Sequence, residues 1–498
     1  MRQLALFLLL LPILLLAAER VCVGNVANTN SNSGSNADAV AGSVADVAAN
    51  SNTNSAADSA SSDVDFEARL EALEREKSEL ERHFRKNQST SEWFRFSQTT
   101  DENPLARDFA SSYVNMSLDD LEAELARTKN WQWKKDSFTI TPFAWVWLTG
   151  SYETNQTSPG EYPLFVRPRF GDDERAHSNF DMKATRLGMI ATAPEVSAFP
   201  DVQISGVFEI DFQGKYFAEN EADIELRKGY FEMKNDEFLF LVGQTWEVIK
   251  PIHVTMLNWG GAVGGGSCGF RRPMIRYDRY FKRENGRFAI QGAILSSNTA
   301  ALAGTLNGAY DGKMASWPEV QLRIERTFDS FGPFKSAMFG IGGRWADKRY
   351  ENVSDHSDQF DRFSWGIHAE AMIRFSDRAF ISGEFFCGEL LGCCLGAVIQ
   401  DINPQTLESV GATGGWVAFS YDLTKELHYT MGLGIDDPWN SRLCEGMRGR
   451  NSVFYTNLSY DFTKQMNIGI EYALYSTQYV ALGTARSHHM TLAVNFKF

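Results

Sequence analysis

The sequence predicts an all-β fold, a 16-stranded antiparallel transmembrane β-barrel with an N-terminal helical (coiled-coil) extension. Segments of about ten residues that alternate apolar and polar side chains recur from residue 138 to residue 498. The connections between these segments alternate between short and long, as turns and outer loops do in outer-membrane barrels. Aromatic residues make up 13% of the chain, yet its mean hydropathy is only −0.29. A wall with one lipid-facing and one water-facing side explains that combination.

The first 65 residues predict export followed by disorder. Residues 1–18 combine an early arginine, a leucine-rich core and small residues at Ala17–Ala18, which is typical of a secretory signal peptide. Residues 19–65 consist largely of Asn, Ser, Ala and Asp. This composition predicts a disordered linker, because it offers too little apolar surface to offset the entropy lost on ordering.

The next 72 residues predict helices (66–137). Residues 66–86 carry apolar residues at heptad spacing and predict a coiled coil. An amphipathic helix that lies on its own chain is the alternative. Residues 87–137 predict a periplasmic helical connector, in which Ser117 caps a short helix over 117–129. The heptad seam consists of Phe66, Leu70, Leu73, Lys77, Leu80 and Phe84.

Sixteen strands account for the remainder of the chain, 138–498. In the tenth of them, Trp365 and Ile367 alternate with Ser364 and His368, which predicts one lipid-facing and one lumen-facing side. The predicted strands cover residues 138–149, 182–192, 202–213, 224–234, 237–248, 270–281, 287–296, 318–328, 335–346, 361–375, 379–388, 413–421, 427–435, 452–460, 466–476 and 488–498.

An even strand number predicts that both chain ends lie in the periplasm, which suits an N-terminal extension there. The last predicted strand ends on Phe498, which resembles the C-terminal signal read by the outer-membrane assembly machinery. We therefore expect an outer-membrane protein whose N-terminal extension is periplasmic. The lipid bilayer and the assembly machinery are its expected partners.

A glycine-rich segment, residues 249–269, follows the fifth predicted strand and forms the third outer loop. Gly264, Gly265 and Gly266 allow its backbone to fold closely against the inner wall, next to Trp259. We expect this loop to constrict the lumen. A flexible surface loop is the alternative.

Several arginines are predicted to face the lumen. Fixed guanidinium charges in a narrow channel attract carboxylates and bind them in a bidentate manner. Acidic side chains are expected on the opposite wall, and mutual pairing of the two charge types is the alternative reading. The predicted pore-lining residues are Arg186, Arg227, Arg272, Arg276 and Asp278 on strands, Arg167 and Arg169 in the first outer loop, and the acids Glu209, Asp211 and Glu370.

Several functional classes are disfavoured. The net charge of −15 argues against a nucleic-acid partner. No Cys/His cluster has metal-ligand spacing, so we predict neither a metal nor a cofactor, although a bridge from Cys393 or Cys394 to Cys444 is compatible with the spacing. The scattered histidines argue against an enzyme. A hydrolase at the rim, using His488 or His489, is the weaker alternative.

The segments SGVFEIDFQ, ELRKGYFEM, LVGQTWEV and RRPMIRYDRY, all within residues 203–280, together with the predicted coiled coil, resemble the DcaP-like trimeric porins. The resemblance implies a homotrimeric channel that takes up small anions such as dicarboxylates and aromatic carboxylates. Arg272 and Arg276 match the family by position. The predicted function is passive diffusion of small hydrophilic, anionic solutes. A structural or anchoring barrel with a closed lumen is the alternative.

Overall fold

Sixteen antiparallel strands form a closed barrel in the computed structural model. The structure describes residues 133–135, 138–160, 162–168, 176–193, 201–214, 223–297, 310–311, 317–352 and 359–497. The predicted signal peptide, linker and coiled coil, most of the predicted connector, and Phe498 lie outside the described residues.

Each strand pairs with its neighbours along the chain, and the first strand closes the ring against the last, with Val146 opposite Phe496. The strands are β1 (Phe138–Glu153), β2 (His177–Asp181 continued by Arg186–Thr192), β3 (Gln203–Asp211), β4 (Glu225–Lys234), β5 (Phe238–Trp246), β6 (Arg271–Arg283), β7 (Gly286–Leu295), β8 (Glu319–Phe328), β9 (Ser336–Asn352), β10 (Gln359–Arg374), β11 (Ala379–Glu389), β12 (Gly411–Asp422), β13 (Leu427–Pro438), β14 (Arg448–Asp461), β15 (Met466–Tyr479) and β16 (Gly483–Lys497). All sixteen predicted strands are therefore confirmed.

Alternation along each strand sorts apolar side chains outward and polar side chains inward. On β6, Ile275 and Tyr277 are 54% and 51% exposed, whereas Arg276 is 1% exposed. The outer surface is therefore an apolar belt suited to a bilayer. The pattern fails locally on β4, where the register against β3 shifts between Glu209 and Ile210. This bulge places Arg227 and Lys228, consecutive residues, both in buried positions.

Short elements accompany the barrel. The strand Trp133–Lys135, at the end of the predicted connector, pairs with the start of β1. Thr157–Pro159 and Pro163–Val166 form a hairpin in the first long loop. Within the described residues, no helix is long and apolar enough to cross a membrane. The other short elements are the strand Tyr310–Asp311 and the 3₁₀ helices Gly392–Cys394 and Asn440–Arg442.

Long connections at one end of the barrel fold back into the lumen. The predicted loop between β5 and β6 does so, and its Ile252 and Val254 pack against Trp416 and Tyr455 of the wall. The connection between β11 and β12 does the same, although the sequence had not indicated it. We call this second segment, residues 390–410, the inner plug, because ten of its residues are apolar and 0–9% exposed: Leu390, Leu391, Cys393, Cys394, Leu395, Ala397, Val398, Ile399, Ile402 and Val410.

Candidate solute-binding site in the lumen

The loop between β5 and β6 is anchored on the far wall of the barrel. The Glu471 carboxylate on β15 accepts hydrogen bonds from the backbone N–H of Leu257 at 2.7 Å and from Asn258 Nδ2 at 2.9 Å. Lys250 Nζ donates to Glu384 Oε2 on β11 at 2.6 Å. Carboxylates on the inner wall thus hold the loop across the lumen, so the alternative of a flexible surface loop does not apply.

The glycines of this loop are required where it touches the wall. Gly266 has φ +112°, and a Cβ there would lie 2.1 Å from the Gly415 carbonyl oxygen of β12. The Gly264 carbonyl accepts a hydrogen bond from Asn451 Nδ2 at 2.8 Å. A Cβ on Gly265 would lie 3.1 Å from Val453. The three glycines therefore lie inside the barrel as expected, and their role in constriction stays a prediction.

Most of the predicted pore-lining arginines are paired with buried acids. Arg272 Nε lies 2.7 Å from Glu247, and its Nη2 lies 2.6 Å from Glu319. Arg344 donates from Nε to the same Glu319 at 2.8 Å. Arg276 makes two bonds of 2.9 Å to the Asp278 carboxylate. The side chains of Glu247, Glu319 and Asp278 are 0% exposed, so these are desolvated pairs.

The predicted acids lie beside arginines in the same way. Arg227 bonds to Glu209 and to Asp211, its neighbours on β3. Arg323 Nε lies 2.6 Å from Glu370. Direct pairing, the second of the two readings, is thus the arrangement that these residues adopt. The charge of each arginine is thus compensated by acids, and both Arg227 and Arg323 contact two of them.

Arg186 is different, because one of its guanidinium nitrogens is not satisfied. It is 4% exposed and stacks over Trp145 and Trp147, with its CZ atom 4.5 Å and 5.5 Å from the ring centroids. Its nearest acid, Glu209, lies 3.9 Å from Nε. The buried Nε has no hydrogen-bond partner. A buried donor of this kind favours an incoming acceptor.

Arg271 is a second such residue, and alternation missed it. Arg271 lies four residues before the lipid-facing Ile275 on β6, so strict alternation would place it on the lipid side. It is nevertheless only 4% exposed. Nη2 donates to Glu225 at 2.9 Å, while Nε and Nη1 have no partner. The pairing of β4 with β5 extends no further than Gly229 opposite Gln244. The side chain therefore lies beside a stretch where the two strands do not pair.

A cavity of about 300 Å³ connects these residues. Arg186, Arg227 and Arg271 line it together with Lys250 and His253. Burial, reinforced by the positive charge of Lys250, holds the pKa of the His253 imidazole well below its usual range. Its apolar lining includes Trp147, Tyr162, Trp246, Trp259 and Phe270. The cavity therefore combines cationic hydrogen-bond donors with flat aromatic surfaces.

Trp259, in the loop between β5 and β6, lines the cavity beside Tyr162 of the first long loop. Its ring lies 4.6 Å from that of Tyr162, and its Nε1 donates to Asp211 at 3.4 Å. Arg167, in the first long loop, is exposed. The predicted Arg169 lies outside the described residues. The vestibule role of these two arginines stays a prediction.

The cysteines in the described residues are free, so the bridge from Cys393 or Cys394 to Cys444 that the spacing allowed is not formed. Ligand atoms of Glu247, Glu319 and Cys394 lie within 4.8 Å of one another. However, both carboxylates already accept hydrogen bonds from Arg272.

The two histidines considered for a hydrolase contact hydroxyl groups. At the rim, His488 Nδ1 pairs with the Tyr472 hydroxyl at 2.8 Å and His489 Nδ1 with the Thr491 hydroxyl at 3.1 Å. In neither contact is a histidine paired with serine or a carboxylate.

Inward-facing charges are almost fully desolvated along the described part of the barrel. The following side chains belong to residues that are at most 8% exposed: Arg186, Glu209, Asp211, Arg227, Glu232, Arg272, Arg276, Asp278, Arg287, Glu319, Arg323, Glu325, Arg344, Lys348, Glu370, Glu384, Asp436 and Glu471. The inward-folded loops and these ion pairs therefore occupy much of the lumen.

No protein-family model and no curated protein sequence matches the chain. Among solved structures, the outer membrane channel DcaP of Acinetobacter baumannii superposes with a TM-score of 0.58 at 18% identity, over 73% of this chain and 99% of that chain. The chain has a porin-type fold.

The anion-selective porin from Comamonas acidovorans superposes on this porin-type barrel with a TM-score of 0.47 at 10% identity, over 72% of this chain and 100% of that one. Salmonella typhi OmpF in complex with daunomycin gives a TM-score of 0.45 at 11% identity, over 74% and 100%. The superposition on DcaP alone confirms the DcaP-like barrel fold that residues 203–280 implied.

Proposed function

We propose that the chain is an outer-membrane porin that lets small hydrophilic anions of the carboxylate type diffuse passively. It would act as a homotrimer, with its N-terminal extension in the periplasm and Phe498 read by the assembly machinery. Solutes would pass the arginine-lined cavity and the loop that carries Trp259, Gly264, Gly265 and Gly266. The porin-type fold supports a channel in general, and the residues of this chain support the choice of solute.

The observation that carries the proposal is the pair of incompletely satisfied arginines. Arg186 Nε and Arg271 Nε and Nη1 are buried donors without acceptors, and both residues line the cavity. Leaving a buried donor unsatisfied costs about 1–3 kcal/mol. An entering carboxylate would remove that cost and gain charge-assisted hydrogen bonds. A neutral solute could satisfy the donors through an oxygen atom but would lack the attraction between opposite charges, and a cationic solute would be repelled by both guanidinium groups.

The test is the reversal potential of the purified protein in planar bilayers across a potassium chloride gradient. We expect anion preference in the wild-type protein. Arg186→Ala combined with Arg271→Ala should reduce the anion-to-cation permeability ratio severalfold. Arg272→Ala combined with Arg276→Ala should also reduce it, because each change leaves a lumen carboxylate without its cation.

Arg279→Ala is the matched control. Arg279 lies on the same strand as Arg276, but its side chain is 39% exposed and pairs with Glu237, which belongs to the short turn between β4 and β5. It removes the same charge outside the lumen and should leave the reversal potential unchanged. Cation preference in the wild-type protein, or equal effects of Arg279→Ala and the cavity variants, would refute the anion proposal. Liposome swelling with carboxylic acids and neutral sugars of similar size would then define the solute class.

A structural or anchoring barrel with a closed lumen is the second candidate. The near-complete burial of the inward-facing charges favours it, because a wide water-filled pore would leave them hydrated. The two candidates differ in a single measurement. Folded protein that inserts into bilayers without any ion current would support the anchoring function and exclude the porin.

A further inference from the structure

The barrel wall is interrupted between β4 and β5, toward the end that carries the long connections. Pairing of these two strands ends at Gly229 opposite Gln244, so residues 225–228 of β4 do not pair with β5. Gly243 has φ +135°, and a Cβ there would lie 2.2 Å from the Gly229 carbonyl oxygen, so β5 departs from regular extended geometry at this point. We call the unpaired stretch the β4–β5 gap. It is about 13 Å long at about 3.3 Å per residue.

Two side chains fill the β4–β5 gap. Trp246 and Arg271 lie opposite each other on β5 and β6. Strict alternation would place both on the lipid side, because the residues that follow them, Glu247 and Arg272, are buried inside the barrel. Both nevertheless line the inner cavity, and the Arg271 CZ atom lies 5.2 Å from the centroid of the Trp246 ring. Side chains that start on the outer face and reach an inner cavity pass through the wall, so this pair separates the cavity from the bilayer.

The side chains in the gap carry hydrogen-bond donors without acceptors. Arg271 Nε and Nη1 and Trp246 Nε1 are buried and have no partner. Arg271 Nη2 bonds at 2.9 Å to Glu225, whose side chain is 25% exposed, so this acid occupies only one of the guanidinium nitrogens. Three unsatisfied N–H groups on two touching side chains match the two oxygen atoms of a carboxylate, which accepts charge-assisted hydrogen bonds.

The outer rim of the gap is apolar. Ile224 and Leu226, beside the gap on β4, are 65% and 40% exposed, and Ile275 on β6 is 54% exposed. The 13 residues of β6 run from the short turn up to Arg271, which corresponds to a height of about 30 Å at a strand tilt of about 40°. The apolar belt of such barrels is about 25 Å tall. Arg271 therefore lies near the bilayer boundary on the side of the long connections, where an amphiphile places its head group.

We propose that the β4–β5 gap is a lateral binding site for a single-chain amphiphilic carboxylate of the fatty-acid type. Its head would bind between Arg271 and Trp246, and its chain would lie against Ile224 and Leu226. A single chain is favoured because only four residues of β4 are unpaired and the cavity behind them holds about 300 Å³. Rotation of the two side chains would join the cavity to the bilayer. This route differs from the passage of water-soluble anions along the lumen and does not require the lumen to conduct.

The test is photolabelling of the full-length protein in lipid nanodiscs with a palmitate analogue that carries a diazirine beside its carboxyl group. The acyl chain partitions the probe into the bilayer. Label should concentrate on the borders of the gap, and unlabelled palmitate should displace it. Arg271→Gln should lower the labelling at least tenfold, and Trp246→Phe, which keeps an aromatic ring but removes the N–H, at least twofold. Arg279→Gln is the matched control, because this arginine lies on the same strand and is 39% exposed, and it should label as the wild-type protein does.

A second measurement uses only the wild-type protein, so it decides the matter even if a variant fails to fold. A hexadecanol analogue with the same diazirine but no charge should label the gap at least tenfold less than the acid. Equal labelling by acid and alcohol, label spread evenly around the barrel, or unchanged labelling of folded Arg271→Gln would refute the site. Stronger displacement by hexadecyl phosphate than by palmitate would overturn the choice of a carboxylate. None of these readouts measures ion current, so failure here leaves the porin proposal standing, and the reverse also holds.

Discussion

Glu319, at the start of β8, is the buried acceptor shared by Arg272 and Arg344. Its side chain is 0% exposed, and together with Glu247, the second acid that bonds to Arg272, it balances the two guanidinium charges without help from water. Removing one partner of a buried ion pair costs about 3–5 kcal/mol, because the remaining charge stays desolvated. We expect Glu319→Gln to reduce the free energy of unfolding by about that amount. Urea unfolding in detergent, followed by tryptophan fluorescence, measures it.

Glu237→Gln is the matched control for this substitution. The Glu237 side chain is 66% exposed and pairs with Arg279 at a surface site, where such pairs contribute less than about 1 kcal/mol. The same chemical change should therefore have little effect on unfolding. Equal destabilisation by Glu319→Gln and Glu237→Gln would show that Glu319 is hydrated in solution and that the lumen at this level is open to water.

Side-chain orientation could be predicted for most residues but not at irregular positions. Arg272 and Arg276 face the lumen as the alternation of β6 predicts, because a regular strand leaves no other choice. Arg227 was predicted to line the pore, but the bulge at that residue disrupts the alternation and buries its neighbour Lys228 as well. Arg271 was missed, since its inward position depends on where β4 and β5 stop pairing. Pairing limits of this kind are not encoded in the pattern of a single strand.

At the scale of elements, the loop between β5 and β6 depends on glycine for its contact with β12. Gly266→Ala would place a methyl group 2.1 Å from the Gly415 carbonyl, so the loop must leave the wall. We expect single-channel conductance to rise and protease cleavage within residues 249–269 to appear. Bilayer recording and limited proteolysis of the folded protein measure the two effects.

Gly160→Ala separates the steric clash from backbone strain. Gly160 has φ +118°, close to the +112° of Gly266, but a Cβ there meets nothing within 4 Å. Both substitutions carry the penalty of about 1–3 kcal/mol for an unfavourable backbone conformation. Only Gly266→Ala adds a collision with the wall. If the two variants conduct alike, the contact between Gly266 and Gly415 does not hold the loop in place.

The inner plug illustrates what composition alone does not reveal. Its residues are as apolar as a strand, but Leu395, Val398 and Ile399 have φ of 68°, 45° and 59°. Side chains rarely adopt this left-handed conformation, and β-branched residues do so least. Contacts with the wall compensate it, such as the hydrogen bond of 2.8 Å from the Val398 N–H to Asp436. These partners are remote in sequence, so nothing local predicts that the segment folds inward.

At the scale of the whole molecule, the barrel could be predicted because its signals repeat sixteen times. Each strand carries the same alternation of apolar and polar residues. A wrongly predicted strand end therefore does not change the predicted fold, because the other strands show the same pattern. The contents of the lumen occur once and follow no period. The inward-folded loop between β5 and β6 could be recognised by its glycines. The cavity between Arg186 and Arg271 could not, because it depends on residues from separate strands and loops that meet only when the barrel closes.

The inner plug is buried inside the barrel, so its removal is the most direct test of the molecule as a channel. The Leu390 N–H donates to the Val410 carbonyl at 2.9 Å, so these two residues continue the hairpin of β11 and β12. A two-residue Asn-Gly turn in place of residues 391–409 should therefore join them once Leu390, whose φ is 57°, adopts the extended backbone of the strand. We expect the variant to close as a barrel, with unchanged heat-modifiable mobility on gels, and to conduct severalfold more current than the wild-type protein.

The inner plug is anchored to β13 by Asp436 and to β14 by Arg448. The Asp436 carboxylate accepts from the Val398 N–H, and Arg448 Nε donates to the Val398 carbonyl at 2.9 Å. Asp436→Asn with Arg448→Ala should accordingly raise the conductance partway. Unchanged current in the folded deletion variant would mean that the plug does not limit flow, and the block would then lie at the ion pairs around Glu319.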